Sequence, residues 1–248
     1  MALRGFLLCA QGALFILLPG YVMFHVLRRA PKADRSLIYW GAGGLLAASL
    51  PMNFFISLGR QILAASPNTL TVAAQLLCAA LLTGIFVEGM KYLLLKVKHL
   101  SGPELVPGGI AVGLGVGFVT QVFYGLLLVG MGTRLLLGDT STVELADMAA
   151  RSVPELSLAA LASLIGRVSL LVLNACLGVV AARAIVEKSR KLLLYAMLVH
   201  AGIELSYSAI TVGLAGHGQV AILLAMAFET VVTAVGWPWL QRQLQTER

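Results

Sequence analysis

The sequence predicts an all-α polytopic membrane protein with seven transmembrane helices. Hydrophobic residues make up 59% of the 248 positions and charged residues only 12%, about half the charged share of a typical soluble protein. Apolar runs of about twenty residues, the length that lets a helix cross the hydrocarbon layer, recur along the chain. These observations favour a single membrane domain covering residues 1–248, without an appended soluble domain.

Seven spans account for the apolar runs, and each is near or above the length needed to cross a bilayer. They cover roughly residues 5–27, 37–58, 68–95, 108–131, 156–182, 191–214 and 218–240. Residues that end helices or favour turns separate the spans: Pro31, Ser66–Asn68, Gly102-Pro103 with Pro107-Gly108, Pro154 and Gly216–Gly218. The first span is long and lacks a small-residue cleavage site, which favours a retained helix over a signal peptide.

The loop between the fourth and fifth spans, about residues 132–155, is mildly acidic. Its segment Val143–Ala150 can form a short surface helix. A solvated connector is the simplest interpretation of this loop. An exposed contact surface for a partner or substrate is the alternative.

Basic residues are distributed unequally between the two sides of the predicted membrane domain. One side carries Arg28, Arg29, Lys32, Arg35, Lys96, Lys98, Arg183, Lys188, Arg190, Lys191, Arg242 and Arg248. The other side carries only Arg4, Arg60, Arg134 and Arg151. Basic loops stay in the cytoplasm, so we predict an outside N-terminus and a cytoplasmic C-terminus, in the plasma or inner membrane if the protein is prokaryotic. Because the net charge of +7 arises at span ends, it does not indicate nucleic-acid binding.

The third span contains two opposite charges within an apolar run. Glu88 and Lys91 are three residues apart, so a helix places them on one face, where they can neutralise each other. A charged side chain at the bilayer centre costs roughly 2.5–3.5 kcal/mol on insertion scales. Such a pair is therefore expected to face other helices or a water-filled cavity rather than lipid.

Further polar and ionisable residues occur in the later spans. With Glu88 and Lys91 they make up a predicted buried polar cavity: Gln121, Arg167, Asn174, His200, Glu204 and Glu229. A neutralised polar core is one interpretation, and a metal-binding or proton-handling cavity is the other. Glu88, His200 and Glu204 are the candidate catalytic residues and zinc ligands, since a catalytic zinc needs about three protein ligands. The other histidines, His25, His99 and His217, lie at span ends or in a loop.

The fourth span carries a glycine stripe, defined by Gly109, Gly113, Gly117 and Gly125, with Gln121 in the same four-residue register. Small residues at this spacing allow two membrane helices to approach closely. Packing within the chain is the simplest interpretation, and a docking face for another protein's helix is the alternative.

Short segments on the third to seventh spans form an ordered set of motifs. On the third span, Val87–Lys91 is similar to a Glu-Glu-x-x-Arg motif, with Val and Lys at its ends. On the fourth, Gly113–Thr120 is similar to Gly-Leu-Gly-His-Gly-Gly-x-Glu, with Val116 and Thr120 in place of His and Glu. The later spans add Arg167 with Asn174 seven residues on, His200 with Glu204 four residues on, and Glu229.

This set resembles the YhfC-type intramembrane metalloproteases and the Aph subunit of γ-secretase, a non-catalytic relative in the CAAX-protease and abortive-infection superfamily. Aph subunits also lack the first Glu and carry a glycine run followed by Val-Phe, matched here by Val122 and Phe123. The resemblance implies a seven-span fold. Two of three histidine positions and two catalytic carboxylate positions are lost, so it implies a pseudoprotease whose polar cavity survives without the hydrolytic metal.

The predicted function is a catalytically degenerate scaffold in the lipid bilayer that binds or stabilises a partner's transmembrane helix or a peptide. No cofactor is expected for such a scaffold. An active intramembrane metalloprotease, with zinc on Glu88, His200 and Glu204, is one alternative. A small proton-coupled transporter, in which Glu88, Glu204 and Glu229 relay charge, is the other.

Overall fold

The computed structural model describes residues 1–30, 32–63, 69–100, 102–214 and 218–246. These ranges contain eight α-helices and no strand. Seven of the helices are long and apolar enough to cross a membrane, which confirms the predicted fold class. The protein is therefore an integral membrane protein in contact with lipid. The helices are α1 (Ala2–Arg29), α2 (Ser36–Leu63), α3 (Thr69–Val97), α4 (Gly102–Leu136), α5 (Val143–Ala150), α6 (Val153–Val186), α7 (Arg190–Gly213) and α8 (Gly218–Thr246).

The predicted joints agree with the structure in part. Those at Pro31, Ser66–Asn68 and Gly216–His217 lie outside the described residues, as does Arg248. The break predicted at Pro107-Gly108 is wrong, since α4 already begins at Gly102 and contains Pro107. Pro107 lies early in the helix, where a missing backbone N–H removes one hydrogen bond to the first turn and does not interrupt a long interior run.

The N-termini of α5 and α6 are capped by side chains. The Thr142 hydroxyl accepts a hydrogen bond from the Leu145 amide at 3.4 Å and begins α5, the short helix that was predicted at Val143–Ala150. At α6, the Glu155 amide donates to the Ser152 hydroxyl and the Ser152 amide donates to the Glu155 carboxylate. Such caps satisfy backbone donors that would otherwise lack partners.

The helices pack around two central members, α4 and α6. Residues 107–117 of α4 and 171–179 of α6 are buried without interruption. The helices α1 and α2 pack on α4, α8 packs on α6, and α3 lies between α2 and α7. The helix α1 is therefore a direct neighbour of the core, whereas much of α2 faces lipid through exposed side chains such as Tyr39, Leu50 and Phe54.

The glycine stripe of α4 is used within the chain. A Cβ atom at Gly109 would collide with the main chain of Gly178 on α6, and one at Gly113 would collide with the main chain of Asn174. Gly117 lies against Leu171 of α6, whereas Gly125 faces Gly12 on α1. Because association in lipid depends on close van der Waals packing, these glycines let α4 approach both α6 and α1.

The loop between α4 and α5 is organised around Asp139. The Ser141 amide donates to Asp139 Oδ1 at 2.8 Å, and Arg134 Nε donates to Asp139 Oδ2 at 2.7 Å. The hydrogen bonds from Ser141, and then the Arg134 guanidinium, lower the pKa of Asp139 from 3.8 to about 2. This exposed loop lies on the face of the membrane domain that also holds the N-terminus, hereafter the N-terminal face.

We expect the Asp139 interactions to be pH-dependent only in strong acid. The pKa of Asp139 is lowered in the folded state. The contribution of these interactions to the free energy of unfolding is therefore complete above about pH 3.8 and is lost as the pH falls through about 2. Carboxyl-carbon NMR of the detergent-solubilised protein should show a titration midpoint near 2. The variant Ser141→Ala removes the hydroxyl and keeps the amide donor, so it should raise that midpoint by part of the shift, and an unchanged midpoint would contradict a contribution from the hydroxyl.

Candidate functional site

A buried group of ionisable residues joins α3 to α7. We call Glu88, Lys91 and His200 the ion cluster. Lys91 Nζ donates to Glu88 Oε1 at 2.7 Å, and His200 Nδ1 lies 2.6 Å from the same oxygen. Glu88 and Lys91 are both 0% exposed. Charges removed from water in this way depend on each other, because each would be strongly destabilising without its partner.

The close crossing of α3 and α7 makes the contact with His200 possible. Gly84 lies one turn before Glu88, and a Cβ atom there would collide with the Met197 carbonyl of α7. Since the two backbones approach so closely at this point, the His200 imidazole, one turn beyond Met197 on α7, reaches the Glu88 carboxylate. The sequence requirement is therefore a glycine on α3 as well as the histidine on α7.

The helix α6 completes the surroundings of the ion cluster. Lys91 Nζ also donates to the main-chain carbonyl of Asn174 at 3.4 Å. The Asn174 amide nitrogen donates to the Leu170 carbonyl at 2.8 Å. The ion cluster thus links three helices, α3, α6 and α7, by polar interactions inside the bundle.

Some buried polar atoms near the centre of the bundle have no hydrogen-bond partner among the described residues. They are Glu88 Oε2, both amide atoms of Gln121 and Asn174 Oδ1. Buried polar groups are nearly always hydrogen-bonded to protein or to ordered water. Internal water is the ordinary partner for such atoms.

The ion cluster does not fit a zinc ion. The Lys91 ammonium lies against the carboxylate that would have to bind the metal, and it would repel a dication. The His200 Nδ1 atom is engaged by the same carboxylate. Across the helices that the structure describes, no three His, Cys, Asp or Glu side chains are grouped so that they could hold a metal ion. In this arrangement the Glu88 carboxylate is the ion-pair partner of Lys91 and a hydrogen-bond partner of His200.

A separate polar cavity of about 300 Å³ lies between α4, α6, α7 and α8. None of the three ion-cluster residues lines it. Its charged side chains are Arg167, Glu204 and Glu229, and all three are half-buried. Its polar neighbours are Thr120, Tyr124, Ser163, Ser169, Tyr207 and Ser208.

The charged side chains of the polar cavity are positioned by aromatic and glycine contacts. The Arg167 guanidinium lies 4.2 Å from the ring centre of Tyr124 and 5.4 Å from that of Phe15. The Glu229 carboxylate lies against Gly166, where any Cβ atom would collide with both of its oxygens. In the described parts of the chain, no hydrogen bond or ion pair engages the side chains of Arg167, Glu204 or Glu229.

A second cavity, of about 410 Å³, adjoins the polar cavity and shares Ser163, Tyr207 and Glu229 with it. Its lining also includes Arg151, which precedes α6, and Thr211, near the end of α7. Both residues lie at the N-terminal face, where Arg4 Nε donates to the Arg151 carbonyl at 2.7 Å. The two cavities together extend from Arg167 towards that face.

The single polar cavity expected from the sequence is divided in the structure. Glu88, Lys91, His200 and the Asn174 main chain are brought together, whereas Arg167, Glu204 and Glu229 line the polar cavity. Gln121 is fully buried on α4 and lines neither cavity. His200 and Glu204 share a helix face but are one turn apart, which is enough to place them in different surroundings.

Sequence reasoning missed the aromatic residues of the polar cavity. Tyr124 and Tyr207 are 42% and 37% exposed, respectively, and both line it. A signal was available for Tyr207, which follows Glu204 by three residues and therefore shares its helix face. For Tyr124 no local pattern exists, because its partner Arg167 belongs to a different helix.

Comparison with known proteins finds no match for the chain. No family model matches the chain, and neither a curated protein nor a solved structure matches it. The resemblance to YhfC-type proteases and Aph subunits rests on the motifs alone and stays a prediction. The function must therefore be argued from the geometry of the ion cluster and the polar cavity.

Proposed function

We propose that this protein is a non-catalytic scaffold of the intramembrane-metalloprotease fold, and that it binds a partner's transmembrane segment at the polar cavity. The observation that carries the proposal is a set of three half-buried ionisable side chains that line one cavity and form no hydrogen bond or ion pair with another side chain in the described ranges. Ionisable groups at membrane depth are costly and mark sites for ligands, ions or protons. A polar group from a binding partner would satisfy them.

The contacts within the ion cluster favour a scaffold function over a hydrolase function. Glu88 and His200 occupy the positions that resemble protease motifs, yet Glu88 forms a buried ion pair with Lys91, and His200 Nδ1 lies 2.6 Å from the same carboxylate oxygen. A general base must be able to reach a water molecule or substrate to accept its proton. The ion cluster instead holds three helices in place and thereby shapes the walls of the neighbouring cavity.

The orientation that we propose places the N-terminal face outside and the basic face in the cytoplasm, following the distribution of Lys and Arg. The polar cavity and the second cavity together then extend towards the outer side of the membrane. A partner segment would reach it laterally from the bilayer, beside the exposed rings of Tyr124 and Tyr207.

The proposal can be tested with defined peptides in proteoliposomes. Tyr207 is replaced by photoreactive benzoylphenylalanine, and Phe54 is replaced in a matched control. Phe54 is a lipid-exposed aromatic residue on α2, away from the polar cavity. The probes are leucine-rich helices of about 20 residues with Leu, Asn, Glu or Lys at the centre.

We expect at least one peptide with a polar centre to cross-link at position 207 more than the all-leucine peptide does, and in a saturable manner. The same peptide should not cross-link at position 54. If no polar peptide exceeds the all-leucine peptide at position 207, the polar cavity does not bind transmembrane segments and the proposal is wrong.

A further inference from the structure

We infer that the group recognised by the polar cavity is a cationic side chain, a lysine ammonium or an arginine guanidinium, carried near mid-membrane by the partner's helix; this inference rests on the proposed binding function. The cavity contains two carboxylates, Glu204 and Glu229, and one guanidinium, Arg167. Its formal charge is therefore −1 with all three groups ionised. A ligand with one positive charge neutralises it, whereas an anionic ligand adds to the imbalance.

The position of Arg167 leaves the carboxylates available. Its guanidinium lies over the rings of Tyr124 and Phe15, and this cation–π contact draws it towards α4 and α1. Glu204 and Glu229 belong to α7 and α8, and the Glu229 carboxylate lies against Gly166 of α6. The structure describes no ion pair between Arg167 and either carboxylate.

The size of the polar cavity indicates a side chain rather than a whole helix. A membrane-spanning helix about 30 Å long and about 10 Å across occupies roughly 2,400 Å³, many times the cavity volume of about 300 Å³. A partner helix would therefore lie along the outside of the bundle, between α4 and α7, and insert one long side chain. Lysine and arginine have flexible apolar stems that suit such a reach.

The lining also supplies the hydrogen-bond acceptors that a cation requires. An ammonium group donates three hydrogen bonds and a guanidinium group five. Besides the two carboxylates, the hydroxyl groups of Ser163 and Ser208 can accept them, and neither is changed by a label at position 207. A Cβ atom at Gly166 would meet the Glu229 carboxylate, the end of a flexible side chain, and would shift it within the cavity.

The test uses the same peptides and the benzoylphenylalanine label at position 207. We expect the Lys-centred peptide to cross-link about tenfold more than the Asn- and Glu-centred peptides at equal concentration. Replacing both carboxylates, with Glu204→Gln and Glu229→Gln, should remove this preference. Each single variant is measured as well, so that a misfolded double variant does not decide the result. The control Glu144→Gln lies on exposed α5, outside both cavities, and should leave the preference unchanged.

Failure of this inference and failure of the proposed function give different results. If polar peptides cross-link equally whatever their charge, or if the Glu-centred peptide is preferred, the cation inference is wrong and the binding function stands. A lysine preference that survives both Gln substitutions also overturns the inference. If no peptide with a polar centre exceeds the all-leucine peptide, the proposed function itself fails.

Discussion

Replacing Glu88 with alanine should destabilise the protein by about 3–5 kcal/mol, whereas replacing both Glu88 and Lys91 with leucine should be nearly neutral. The single substitution strands the Lys91 ammonium, which is 0% exposed and would keep only a long hydrogen bond to the Asn174 carbonyl. The double substitution removes both charges. It replaces them with side chains that pack readily in an apolar interior.

The free energy of unfolding can be measured by denaturant titration of the protein in bicelles for the wild type, Glu88→Leu, Lys91→Leu and the double leucine variant, besides Glu88→Ala. A double-mutant cycle then isolates the coupling between the two side chains. Asp139→Ala is a suitable control, because it breaks an exposed ion pair and should have a much smaller effect. Equal losses in the single and double variants would contradict a direct, stabilising pairing of Glu88 with Lys91.

The second large effect is expected at the crossing of α4 and α6. Gly113→Leu should destabilise the bundle by about 3 kcal/mol, at the upper end of the usual cost of overpacking. The reason is that even a Cβ atom would collide with the main chain of Asn174, which cannot rotate away as a side chain could. Both helices are continuously buried here, so the whole crossing has to separate.

Gly130→Leu is the matched control for Gly113→Leu. It lies on the same helix but is exposed, and a Cβ atom there has nothing within 4 Å. We expect it to leave the midpoint of thermal unfolding in detergent almost unchanged. A similar shift from both substitutions would mean that helix propensity, and not the close crossing, determines the need for glycine in α4.

Features that depend on neighbouring residues of one helix could be predicted from the sequence. The long apolar runs required membrane-spanning helices, because only a helix satisfies its own backbone groups in lipid. Glu88 and Lys91 are close because residues three apart share a helix face, whatever surrounds them. The short helix Val143–Ala150 likewise forms within its own segment and its Thr142 cap.

Contacts between different helices could not be predicted from the sequence in this way. The contact of His200 with Glu88 requires α3 and α7 to be neighbours and to cross closely at Gly84. The glycine stripe indicated close packing, but it did not distinguish a partner protein from α6 and α1. The separation of Glu204 from the ion cluster depends on how α7 is rotated about its axis.

The physical reason for this difference is that lipid, and not water, surrounds the helices. In water, an amphipathic pattern shows which face of a helix is buried, whereas lipid is as apolar as the side chains that face it. The apolar surfaces of α1 to α8 therefore carry little information about their neighbours. Chain periodicity and hydropathy determine the number of helices, their approximate limits and the pair of Glu88 with Lys91. Steric fit at a few glycines and the satisfaction of buried charges select which helices meet, and so create the polar cavity.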